Sequence, residues 1–135
     1  MLLMHRMVAA GGVCSGFLVK EDVLVTAGQC CTEKNEKDLR IVFGFRMSDA
    51  SNAVTRFSNE CIYNGVEIIR KVYNPRGNLK DWDLIRLDRK VNDRPIVGMA
   101  EQPVTYEQPV YSIGHPPGLP MKVASGIVVR DPADL

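Results

Sequence analysis

Three features of the sequence predict an all-β fold for this chain. Short β-branched or apolar runs recur along it, turn-forming residues separate them, and no long segment keeps the 3.6-residue period of an amphipathic helix. The runs are Phe17–Val19, Val23–Ala27, Leu39–Phe45, Val54–Phe57, Val66–Tyr73, Asp83–Leu87, Pro109–Ile113 and Val123–Val129. The breaks include Lys20-Glu21-Asp22, Asn74-Pro75-Arg76-Gly77-Asn78, Asn92-Asp93-Arg94-Pro95 and His115-Pro116-Pro117-Gly118. Gly, Asn and Asp tolerate the bent backbone of a turn, and Pro presets it. Short strands joined in this way bury a core as an antiparallel barrel or a sandwich.

With 135 residues, 45% of them hydrophobic, the chain can build one globular core but not two full-sized domains. A weak boundary falls between Val91 and Val104, where proline and polar residues cluster without a strand pattern. Seventeen Lys and Arg face sixteen Asp and Glu with the signs interspersed, so no basic face is set aside for nucleic acid or an anionic membrane. Met1–Met7 is interrupted by His5 and Arg6, so no signal peptide is expected, and no apolar run approaches the roughly 20 residues of a membrane span. Four cysteines, Cys14, Cys30, Cys31 and Cys61, show no C-x-x-C spacing. That argues against a zinc site, and neither a metal nor another cofactor is expected. Four cysteines allow a disulfide framework with three pairings, which favours an oxidising compartment.

The segment Cys14-Ser15-Gly16-Phe17-Leu18-Val19, followed by Val23-Leu24-Val25-Thr26-Ala27-Gly28-Gln29-Cys30, resembles the part of trypsin-like serine peptidases in which a cysteine-led strand runs into a Thr-Ala-(Ala/Gly)-His-Cys motif. Asp81-Trp82-Asp83-Leu84-Ile85-Arg86-Leu87, continuing to Val91, is similar to the stretch that carries that family's triad aspartate. Ile41–Met47, Ile113–Pro120 and Val128–Asp131 point to the bacterial secreted subgroup related to glutamyl endopeptidases. The resemblance runs from about Val13 to the C-terminus. It implies a first β-barrel over residues 13–95 and the opening strands of an incomplete second barrel over 96–135, with 1–12 as an N-terminal tail. It also implies a Cys14–Cys30 disulfide, a peptide or protein substrate in the family, and a secreted or periplasmic location. Cys31 with Cys61 stays open between a second bridge and two thiols.

A serine triad needs a nucleophilic hydroxyl, an imidazole that takes up and returns its proton, and a carboxylate that orients the imidazole. The resemblance puts Asp81 at the carboxylate position, with Asp83 as the alternative, and Gln29 where the histidine would stand. A glutamine amide forms hydrogen bonds but does not titrate near neutral pH, so it cannot shuttle a proton. Loss of the base alone costs roughly a millionfold in turnover in a comparable triad. The family's nucleophile motif has no counterpart before Leu135, so the resemblance implies a truncated homologue, inactive as a lone chain. A non-catalytic binding module is the rival reading.

Other reactive side chains read as structural. His115 sits in a Gly-His-Pro-Pro turn and is expected to be a hydrogen-bonded loop residue, and His5 to lie in the tail. Ser125 lacks the residues that precede a family nucleophile, and Trp82 suits barrel packing better than substrate contact. Apolar strands left open after Pro109 would drive self-association, with Val123, Ile127, Val128 and Val129 as the adhesive set.

Overall fold

The computed structural model describes residues 2–6, 14–31, 38–73 and 80–129. Their strands are β1 (Leu2–Arg6), β2 (Cys14–Lys20), β3 (Val23–Thr26), β4 (Leu39–Phe43), β5 (Ile62–Tyr73), β6 (Asp81–Leu87), β7 (Pro109–Gly114) and β8 (Lys122–Ile127). The first six close an antiparallel barrel in the order β1-β2-β3-β6-β5-β4, while β7 and β8 pair with each other in a separate two-stranded sheet. Short 3₁₀ turns lie at Gly28–Cys30 and Asn59–Cys61, and no α-helix occurs among the described residues. The all-β expectation therefore holds.

Period-two alternation builds the barrel core. In β6, Asp83, Ile85 and Leu87 are buried while Leu84 and Arg86 between them are only partly covered. Leu18, Leu24, Leu39, Ile41, Phe43 and Tyr63 join Ile85 and Leu87 inside, with Val91 sealing the end beyond β6. The Phe43 and Tyr63 rings meet edge to face at 5.3 Å. Gly65 on β5 lies so close to β4 and β6 that a Cβ there would come within 2.7 Å of Leu39 and 3.0 Å of Ile85. Glycine is needed at that point for the barrel to close tightly. Gly44, at a φ of +90°, ends β4 in a conformation that disfavours other residues.

The strand set differs from the sequence expectation at two places. Val54–Phe57 is not a strand. The Asp49 carboxylate accepts from the Ser51 and Asn52 amides at 2.8 and 2.9 Å, and Met47 and Ala53 make a single bridge. After this tight loop the chain finds no free edge, because β4 already lies between β1 and β5, and β5 between β4 and β6. Conversely, residues 1–12 were expected to be a tail, yet Leu2–Arg6 is a strand. Its backbone pairs with β2 and β4, including His5 opposite Arg40, and so joins the two strands that would otherwise be open edges. Main-chain pairing of this kind needs no apolar pattern, which is why the break at His5 and Arg6 misled. The turn expected at Asn74–Asn78 lies outside the described residues.

Candidate functional site

Two strand ends and one turn build the site at the barrel mouth. Asp81 opens β6 on the same side as Asp83, Ile85 and Leu87, but at the exposed rim rather than in the core. The Gly28–Cys30 turn follows β3 directly, and β3 is the hydrogen-bonded neighbour of β6. The turn therefore arrives beside Asp81, and the Gln29 main-chain N–H donates to Asp81 Oδ1 at 3.1 Å across 52 positions of sequence. The two residues that the family resemblance singled out thus stand side by side.

Three features hold the turn in that place. Cys14 and Cys30 form a disulfide with Cα atoms 6.1 Å apart, which ties the turn to the start of β2. Gly28 brings its backbone so near β5 and β6 that a Cβ would sit 2.8 Å from both Asp81 Oδ1 and the Val72 carbonyl oxygen. Any side chain there displaces either the carboxylate or the strand. Thirdly, the Lys71 ammonium on β5 donates to the Gly28 carbonyl at 2.8 Å and to the Cys31 carbonyl, and lies 3.4 Å from Asp83 Oδ2. Lys71 and Asp83 are directly opposed in the β5–β6 ladder. One cation therefore neutralises a fully buried carboxylate and fastens the turn above it.

Asp83 is the weaker of the two aspartates as a candidate for surface chemistry. Its side chain is fully buried, and Oδ1 has no hydrogen-bond partner. Burial pushes its pKa up and Lys71 opposes the shift. It belongs to the barrel interior, while Asp81 borders solvent.

The remaining candidates separate from the rim. Cys31 and Cys61 do not form the second bridge left open in the sequence. Cys31 is buried in the core, while Cys61 is half-buried, with Ser58 Oγ at 3.7 Å and an Arg94 guanidinium nitrogen at 4.0 Å. Ser125 is exposed on β8. Trp82 lies on the outer face of β6, 36% exposed, so it is only partly committed to barrel packing. His115 is a buried, hydrogen-bonded loop residue, in line with its sequence reading. Lys71 was not singled out from sequence, because a lysine in a strand of mixed polarity carries no mark of its cross-strand partner. No group of three or more His, Cys, Asp or Glu among the described residues is arranged to hold a metal ion.

No curated protein matches the chain. The family model for the trypsin-like peptidase domain matches residues 14–132, from the first bridged cysteine past the end of β8. The closed antiparallel barrel and the second sheet agree with that match. This chain belongs to the trypsin-like peptidase domain family.

Proposed function

We propose that the chain is a trypsin-like serine peptidase homologue that does not hydrolyse peptide bonds by the Ser-His-Asp mechanism, because Gln29 occupies the position of the base. The observation that carries this reading is the Gln29 N–H bond to Asp81 at 3.1 Å. It fits a triad carboxylate still bonded to the turn that would present the imidazole. A carboxylate there can orient a partner, but an amide beside it cannot accept and return a proton at neutral pH. The Cys14–Cys30 disulfide supports an oxidising, extracellular or periplasmic setting. Among the described residues no helix is long and apolar enough to cross a membrane. The motifs at Ile41–Met47 and Ile113–Pro120 favour a glutamyl endopeptidase-related ancestry.

The test joins the chain to the C-terminal half of a related peptidase and measures labelling by a serine-directed fluorophosphonate together with peptide turnover. The Gln29→His form is expected to become reactive, and the Gln29 form to remain roughly a millionfold slower. Equal turnover by both forms would overturn the proposed inactivity. Failure of every Gln29→His pairing to react, with both halves folded, would overturn the triad assignment.

The rival reading, a binding module, is favoured by one observation. The β7–β8 register puts Pro109, Tyr111 and Ile113 on the same face as Val123, Ser125 and Ile127. That face is uncovered, with Tyr111 73%, Val123 61%, Ile127 54% and Ile113 51% exposed. Apolar side chains gathered on one exposed face, rather than scattered singly, mark an association surface. Within the described residues β7 and β8 pair only with each other, so their outer edges are free as well. A second copy of the chain, matching apolar face to apolar face, is the occupant this reading takes. Light scattering is expected to show concentration-dependent association that Tyr111→Lys abolishes, whereas a monodisperse monomer at high concentration would exclude it.

A further inference from the structure

The small sheet meets the barrel through a short joint centred on one histidine. The His115 N–H donates to Ser15 Oγ on β2 at 2.7 Å, and that hydroxyl donates back to the His115 carbonyl at 3.3 Å. The imidazole stacks on Phe45, just beyond β4, with ring centres 5.9 Å apart and planes 14° from parallel. Two residues after Leu119, the Met121 N–H reaches the Phe45 carbonyl at 3.0 Å. Before this joint, the chain between β6 and β7 is tied to the barrel by main-chain bonds from the Val91 N–H to the Glu21 carbonyl at 2.8 Å and from the Val97 N–H to the Leu18 carbonyl at 2.9 Å.

The ring is buried, with only 5% of the residue exposed. Its Nδ1 lies 3.4 Å from the Leu119 carbonyl, which can only accept, so the ring proton sits on Nδ1. Its Nε2 is buried without a hydrogen-bond partner. Proton uptake at Nε2 would create a charged donor with nothing to receive it, and an unpaired buried charge is costly. We propose that His115 is a pH-sensitive latch, which holds the β7–β8 sheet against the barrel while neutral and releases it on protonation.

The neighbouring charges favour release. A cavity of about 270 Å³ at the joint is lined by Ser15 from β2, Ser112 from β7, His115 and Lys122 from β8. Its one charged group, Lys122, is a cation. The barrel side contributes the uncharged Ser15 and the Phe45 ring, and the 116–121 turn contributes the Leu119 carbonyl. Among the described residues no carboxylate acts on the imidazole. Its pKa is lowered by burial, with the Leu119 carbonyl opposing the shift. The released state therefore binds more protons than the docked one. Docking is at full strength above the ordinary histidine value of 6.5 and weakens as pH falls below it.

The test is hydrogen exchange of the whole chain, corrected for intrinsic pH dependence, comparing peptides from β7–β8 with peptides from β5. An isolated two-stranded sheet is marginal in water, so release makes its amides exchange. Protection in β7–β8 is expected to fall several-fold between pH 7.5 and 5.5 while β5 holds, and His115→Phe, which keeps a ring against Phe45, is expected to abolish that difference. Protection that is independent of pH, or a pH response unchanged by His115→Phe, would overturn the latch. Should that variant fail to fold, the imidazole of the unmodified chain is titrated by NMR. A midpoint below 6.5 that coincides with loss of β7–β8 protection supports the latch, and a midpoint at or above 6.5 overturns it.

Discussion

Replacing Lys71 with methionine is expected to destabilise the barrel by about 3 kcal/mol at neutral pH, the lower end of the range for stranding one half of a buried ion pair. The lower end applies because the Lys71 side chain is 38% exposed, whereas that of Asp83 is fully buried. Methionine keeps the length of the stem but leaves Asp83 without its counter-ion and the Gly28 and Cys31 carbonyls without their shared donor. The sign of the pH dependence follows from the direction of the Asp83 shift. Its folded pKa lies above the unfolded 3.8, so its contribution to stability is complete below 3.8 and is lost as pH rises through the folded value. Removing Lys71 takes away the group that opposes this shift and deepens the loss. The gap between Lys71→Met and the unmodified chain, measured by urea unfolding, is therefore expected to be larger at pH 7.5 than at pH 4.5. Adding Asp83→Asn should recover part of it, because a neutral amide no longer strands a charge. A gap that is the same at both pH values would show that Lys71 acts through packing alone.

Removing the Cys14–Cys30 bridge by Cys14→Ala/Cys30→Ala is expected to cost about 3 kcal/mol, from the closure entropy of a loop of this length. The two residues are 16 positions apart in sequence. For a domain of this size that corresponds to a fall of roughly 10 °C in melting temperature. The loss should reach the candidate site, since Gln29 immediately precedes the bridged Cys30 and its N–H reports on the bond to Asp81. Calorimetry with and without reductant checks the first effect, and exchange of the Gln29 amide checks the second. Cys61→Ser is the control and should leave the melting temperature nearly unchanged, since Cys61 is not bridged. An equal fall in that control would place the sensitivity to reductant elsewhere.

Local pattern was enough to read the all-β class, seven of the strand positions in outline, and the segments that carry Gln29 and Asp81. Alternation and turn residues act between near neighbours in sequence, so a single chain records them. The pairing of Cys14 with Cys30 was legible only through family resemblance, because cysteine spacing alone leaves three pairings open. What the sequence could not express is partnership across the barrel. Leu2–Arg6 has no distinctive side-chain pattern and becomes a strand because β2 and β4 each lack a neighbour. Val54–Phe57 has a strand-like composition and stays out of the sheet because closure leaves no edge to join. Lys71 and Asp83 are 12 positions apart and unremarkable separately, yet the β5–β6 register sets them opposite each other, so that a partly exposed cation meets a fully buried carboxylate. His115 likewise takes its character from Ser15 and Phe45, which only the docking of the small sheet brings against it. The sequence by itself determined most of the segments that are extended and which residues could serve the site. The tertiary structure alone decided which of them are buried and paired, because the free energy of a charge or a strand edge depends on what excludes water from it.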